Sequence, residues 1–204
     1  MKKILLTNIL MLLAFCANAQ SVTDRTSYIT NPNFESGANG WVYESLQAQS
    51  NSSFTKKSGS VYMEKWVPTG NYVGNGSIYQ TITQLPIGIY QLTVAAQNLN
   101  QSNTSQNCSG VYIYANDQKT DVYTPGDYSV TFTNITGDVE IGFVAKNASG
   151  NWIAVDNFRL SQIGEVEKET VMEEVNRLLK EAEKIPTDII PTHITSALQA
   201  AIAD

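Results

Sequence analysis

Trp66, Tyr72 and Tyr79 fall close together in a stretch that also carries Asn71, Asn75 and several glycines. Flat aromatic rings stack on the faces of sugar rings, and planar amides exchange hydrogen bonds with sugar hydroxyls. Gln97 and Asn98 close a long β-type run, and a polar loop over residues 100–107 follows that could rim a site. Trp152 is a further aromatic for the same chemistry, although a Trp just before an apolar strand fits a core position equally well. Trp66, Tyr72, Tyr79, Gln97 and Trp152 are therefore the candidate ligand-contact residues. Trp41 reads as core, and Tyr112 and Tyr114, which share a strand face, read as cross-strand packing. Catalytic groupings are scarce. The single histidine, His193, lies near the C-terminal end, away from any Ser or Cys of the main body that it could activate. No carboxylate pair stands out for glycoside hydrolysis, and there is neither a glycine-rich phosphate loop nor a His/Cys metal motif.

The elements that must position these side chains are β-strands. Short runs with strand character recur over residues 41–48, 60–66, 77–83, 89–99, 111–115, 128–135, 139–146 and 152–163. Turn signals separate them, among them Leu85-Pro86-Ile87-Gly88, Asn116-Asp117, Pro125-Gly126-Asp127 and Thr136-Gly137-Asp138. About eight short strands at this spacing predict a β-sandwich of jelly-roll type. Within the last run, the strand period sets Ile153, Val155 and Asn157 against Ala154, Asp156 and Phe158. Gly164 marks a change of texture. Residues 164–204 contain no aromatic, and Val171, Val175, Leu178, Ala182 and Ile185 recur at helical steps. Pro186 and Pro191 interrupt that pattern, and residues 192–203 read as the start of a second helix. A helix of this length is marginal alone, so its apolar stripe calls for a partner: the sandwich, the second helix, or a further domain or protein.

Residues 1–19 carry Lys2-Lys3, an apolar stretch from Ile4 to Phe15, and Ala17-Asn18-Ala19, the three parts of a secretory signal peptide. The apolar stretch is shorter than the roughly 20 residues of a membrane span. Cleavage before Gln20 is expected; lipidation of Cys16 is the competing reading, and the bulky Phe15 speaks against it. The organisation is then a signal peptide over residues 1–19, a β-sandwich over 20–163 and a helical tail over 164–204. Either way the protein is secreted, periplasmic or on the cell surface. Without residues 1–19 the chain holds 11 basic against 19 acidic residues, a charge of about −8. That balance argues against nucleic acid, whose phosphates call for clustered Lys and Arg. Cys108 alone would survive cleavage, so the fold rests on an apolar core rather than on an internal disulfide.

Three segments resemble one family. Asn31-Pro32-Asn33-Phe34-Glu35 with Gly40-Trp41, then Ile78-Tyr79-Gln80-Thr81-Ile82 with Leu85-Pro86-Ile87-Gly88-Ile89-Tyr90-Gln91-Leu92, and last Asn151-Trp152-Ile153-Ala154-Val155-Asp156-Asn157-Phe158-Arg159-Leu160 occur in order. They resemble the opening strand, central pair and closing strand of carbohydrate-binding modules of the family 4/9 type. The resemblance implies an all-β, galactose-binding-like jelly-roll β-sandwich that binds polysaccharide without catalysis, free-standing or as the accessory part of a carbohydrate-active enzyme. It also implies a structural calcium ion (Ca2+) that ties the first strand to the last, with Glu35 and Asp156 at the matching positions. Calcium takes about six to eight oxygen ligands, so main-chain carbonyls would complete the set. The alternative is a structural or adhesive surface domain that docks protein through its helical tail.

Overall fold

The computed structural model describes residues 22–135 and 137–182. The expected signal peptide, Cys16, His193 and the second helix over residues 192–203 lie outside the described residues. Among the described residues eleven strands form: β1 (Thr23–Asp24), β2 (Val42–Glu44), β3 (Gln47–Gln49), β4 (Tyr62–Trp66), β5 (Gly74–Ile82), β6 (Gly88–Leu99), β7 (Val111–Ala115), β8 (Gln118–Asp121), β9 (Gly126–Asn134), β10 (Val139–Ala148) and β11 (Trp152–Gly164). They build two antiparallel sheets. One runs β3-β4-β11-β6-β9 with β1 added on β11, and the other runs β2-β5-β10-β7-β8. This is the β-sandwich expected from the sequence. Its core is closed by alternate residues of the two sheets, among them Leu92, Val94, Ile153 and Val155 on one side and Ile78, Ile113, Ile141 and Phe143 on the other.

Two local departures redirect strands. The run over residues 41–48, expected as one strand, breaks at Ser45, whose φ is +61°. A left-handed residue turns the chain out of the pleat, so β2 pairs with β5 while β3 pairs with β4 in the other sheet. The second departure is a bulge in β11. Asn157 takes φ +54°, and the register against β6 shifts between Asp156 and Arg159. Asn tolerates this conformation better than most residues, and the extra residue reverses the facing of the side chains beyond it. Phe158 therefore does not share a face with Ala154 and Asp156. It enters the main core beside Val155 and Leu160.

There Phe158 completes an aromatic cluster. Its ring centroid lies 4.6 Å from Trp41 and 5.9 Å from Phe34, which is itself 5.1 Å from Trp41. The Phe158 amide donates to Pro32 O at 2.8 Å, and Trp41 Nε1 donates to Asn31 O at 3.1 Å. The opening loop is thereby fixed to the last strand.

The sandwich and the helical segment are separate compact units that divide between Glu165 and Val166. The second unit contains helix α1 (Lys168–Ala182), on which Arg177 pairs with Glu174 one turn away at 2.5 Å. Among the described residues no helix is long and apolar enough to cross a membrane. Removing one ring of the aromatic cluster tests the fold. Phe158→Ala is expected to cost about 3–5 kcal/mol, read by urea denaturation. A loss below about 1 kcal/mol, within the range of ordinary surface changes, would contradict the packing described.

Candidate functional site

Strand alternation puts Met63 of β4 into the main core and turns Tyr62, Glu64 and Trp66 to the outer face of the six-stranded sheet. Trp152, Ala154 and Asp156 of β11 and Ala95, Gln97 and Leu99 of β6 share that face. Register sets Trp66, Trp152 and Leu99 in one row and Glu64, Ala154 and Gln97 in the next. Gln47 and Gln49 of the edge strand β3 stand opposite Glu64 and Tyr62. Phe54 folds over from the loop before β4 and makes a second apolar cluster with Tyr62, Ala95, Leu99, Trp152 and Ala154.

Beside this cluster lies a cleft of about 310 Å³, at the small end of the range of ~300–1,000 Å³ typical of ligand sites. Gln47, Gln49, Asn51 and Ser53 line it from β3 and the loop beyond, and Trp66 and Gln101 line it near its mouth. Glu64 and Trp152, only 5% and 8% exposed, form its base, whereas Trp66 is 50% exposed. Glu64 is held by protein donors. Its Oε2 accepts from Trp152 Nε1 at 2.8 Å, and its Oε1 accepts from Gln49 Nε2 at 3.2 Å. The single proton of the Tyr62 hydroxyl is shared between Glu64 Oε2 at 3.2 Å and Asn51 Oδ1 at 2.8 Å. Burial, followed by the charge of Glu64, raises the Tyr62 pKa, so the phenol stays protonated.

The Trp66 ring is oriented through Gln101, whose Oε1 accepts from Trp66 Nε1 at 2.6 Å. Gln101 is in turn fixed by Asn151, which accepts from the Gln101 amide at 2.7 Å and donates Nδ2 to Gln101 Oε1 at 3.0 Å. Asn151 is 3% exposed and also donates to Val67 O at 3.0 Å, so one buried amide braces both loops at the mouth.

Of the sequence candidates, Trp66 and Trp152 border this one cleft. Tyr72 is 69% exposed on the loop between β4 and β5. Tyr79 belongs to the other sheet, where it faces Gly142 of β10. Gln97 is 1% exposed and its Nε2 has no hydrogen-bond partner, but it does not line the cleft. Sequence reasoning placed the loop over residues 100–107 at the rim of a site without singling out Gln101, and it missed Glu64, Gln47, Gln49, Asn51 and Ser53. A signal for Glu64 was present: in Tyr62-Met63-Glu64-Lys65-Trp66 the carboxylate alternates with two aromatics, which marks a polar-bottomed face.

Asp156 and Glu35, the expected calcium residues, meet at the loop before β4. Asp156 is fully buried, with Oδ2 accepting from the Ser58 amide at 2.6 Å and Oδ1 from the Asn157 amide at 2.7 Å. Glu35 Oε1 accepts from the amides of Ser60 at 2.7 Å and Val61 at 3.0 Å. A side chain at Gly59, which has φ +75°, would collide with the Glu35 carboxylate. Burial pushes the Asp156 carboxyl up to about 7; the two amides oppose this and the charge of Glu35 adds to it. The amides of Val61 and Ser60 hold Glu35 below its ordinary value. Neither carboxylate takes part in the ion pairs of the described residues, and a buried carboxylate beside a second one is an all-oxygen donor set that suits a hard cation. No third His, Cys, Asp or Glu joins them among the described residues, so main-chain oxygens would have to supply the rest.

No protein-family model matches the sequence, and no curated protein matches it. Solved structures do overlap with the sandwich. TmCBM61, solved with β-1,4-galactotriose, overlaps with a TM-score of 0.51 and 18% identity over 66% of this chain and 97% of its own. The Stig cyclase Fisc from Fischerella sp. TAU, solved with an indole compound, overlaps with a TM-score of 0.52 and 16% identity over 72% of this chain and 100% of its own. The CBM22-1–GH10 modules of Clostridium thermocellum xylanase 10B give a TM-score of 0.40 at 9% identity over 63% and 27% of the two chains, too loose to argue from. These likenesses fix the fold alone. One such sandwich was solved with a galactotriose and another is a cyclase, so the scaffold by itself does not choose between binding and turnover.

The buried carboxyl predicts a pH dependence. With a folded pKa of about 7 against 3.8 for the free group, the fold favours the protonated form, so stability from Asp156 falls as pH rises from about 4 to about 7. Glu35, being lowered, works in the opposite sense at the acid end. With chelator present, the thermal midpoint is expected to drop between about pH 5 and about pH 7, and Asp156→Asn is expected to flatten that drop. An equal drop in both proteins would assign it to another group.

Proposed function

We propose that this protein is a non-catalytic glycan-binding module and that polysaccharide lies in the cleft on the outer face of the six-stranded sheet. The observation that carries the reading is Trp66. Its indole is half exposed at the mouth of a cleft otherwise lined by amides, a hydroxyl, one carboxylate and the buried Trp152 indole at its base. An oriented ring supplies a stacking surface, and fixed amides supply paired donors and acceptors for hydroxyls. Binding without turnover is supported by the state of Glu64. It is the one carboxylate lining the cleft, whereas most glycosidases use two, and it accepts from Gln49 and Trp152 and shares the proton of Tyr62 with Asn51.

Calcium belongs to the same proposal. Glu35 and Asp156 would hold the ion with main-chain oxygens, and when bound it would neutralise two carboxylates that otherwise repel. Export through residues 1–19 would place the module outside the cytoplasm, where it would meet polysaccharide, alone or as the accessory part of a carbohydrate-active enzyme. The helical segment would then connect it to a further domain or a protein partner.

A glycan array run with calcium and with chelator tests the reading. Trp66→Ala is expected to weaken the strongest hit at least about tenfold, the scale of one lost stacking contact in a polar cleft. Tyr79→Ala, on the other sheet, is expected to leave it unchanged. Retention of binding in Trp66→Ala, or its loss in Tyr79→Ala, would move the site elsewhere. Calcium is expected to raise the thermal midpoint of the wild-type protein and not that of Asp156→Asn.

A further inference from the structure

We propose that Glu64 makes the cleft selective for uncharged glycans, so that chains bearing uronate or sulfate groups are rejected; this rests on the glycan-binding reading above. Glu64 is the one ionisable side chain among the residues that line the cleft, and the others are Gln, Asn, Ser and Trp. It is 5% exposed, so its charge is poorly screened by water and its field is felt across the small volume above it. No Lys, Arg or His lines the cleft to offset it. The nearest basic residue in sequence, Lys65, turns to the opposite side of β4, where its Nζ donates to Asn75 O at 2.7 Å.

The hydrogen bonds around Glu64 sharpen the point. Gln49 and Trp152 donate to it and Tyr62 shares its one proton between it and Asn51, so most of its acceptor sites are engaged before a ligand arrives. Its effect on a ligand is therefore mainly electrostatic. A second anion entering the cleft would meet an uncompensated like charge, an arrangement that costs affinity and suppresses wrong partners. The protein as a whole adds to the repulsion, with 19 acidic against 13 basic residues.

The test is a glycan panel that contains neutral, uronate-bearing and sulfated chains, probed with the wild-type protein and with Glu64→Gln. The Gln keeps the shape and one acceptor oxygen for Trp152 and removes the charge. Wild-type hits are expected to be confined to neutral chains. In Glu64→Gln the gap between a neutral hit and its C6-oxidised form should narrow about tenfold, the effect expected of one poorly screened like-charge contact. Methyl-esterifying the uronate, which removes the charge of the ligand and keeps its size, should bring its wild-type binding close to that of the neutral chain, an answer that does not depend on the variant folding. Wild-type binding to acidic chains as tight as to neutral ones would overturn this inference and leave the glycan reading standing, as would a gap that persists both in Glu64→Gln and with the methyl ester. An array with no hit of any class, from a protein shown to be folded, would overturn both.

Discussion

A carboxylate withdrawn from water is costly unless donors meet it, and this constraint organises the outer face of the six-stranded sheet. Glu64 draws Gln49 from β3, Tyr62 from its own strand and Trp152 from β11 onto one pair of oxygens. The edge strand, the central strand and the large apolar side chain between them are thus oriented by a single charge. Because the donors are spent on Glu64, the cleft base is rigid and negative, and recognition falls to the side chains around it. Trp66 and Gln101 can serve at the mouth because Asn151, buried and fully engaged, fixes the loop that carries Gln101.

The loop before β4 links this cleft to the carboxylate pair. Asn51 and Ser53 line the cleft and Phe54 packs onto its apolar neighbour cluster. A few residues on, Ser58, Ser60 and Val61 give their amides to Asp156 and Glu35. One short segment is therefore held at one end by packing and at the other by two anions. A buried anion is a weak anchor when unpaired and a firm one when neutralised, which makes this segment the part of the wall most sensitive to the charge state of the pair.

Much of the fold was legible in the sequence. Alternation and turn residues define the long strands, and the ordered family-like segments give the sandwich. What escaped depended on single backbone conformations. Ser45 divides one apparent strand between two sheets, and Asn157 inserts a bulge that carries Phe158 into the core. Both residues sit within otherwise regular strand patterns, so periodicity alone could not find them. β1 and β8 are short and lack an apolar rhythm. At the site, the aromatic count pointed to Trp66 and Trp152 but could not separate them from Tyr79, because the sheet to which a strand belongs is set by long-range pairing. Gln47 and Gln49 are ordinary polar residues until β3 brings them beside Glu64, whereas the loop that carries Gln101 was legible as a polar rim.

The fold is shared by a structure solved with a galactotriose and by a cyclase, so the place of the site, rather than the scaffold, is the point to test. The chain has only three tryptophans: Trp66 at the mouth of the cleft, Trp152 at its base and Trp41 in the core. Their indole N–H resonances can be followed by two-dimensional NMR while a bound oligosaccharide is titrated in. The Trp66 and Trp152 signals are expected to shift together with saturation while the Trp41 signal stays in place. Saturable binding that leaves both cleft signals unmoved would contradict a site in this cleft.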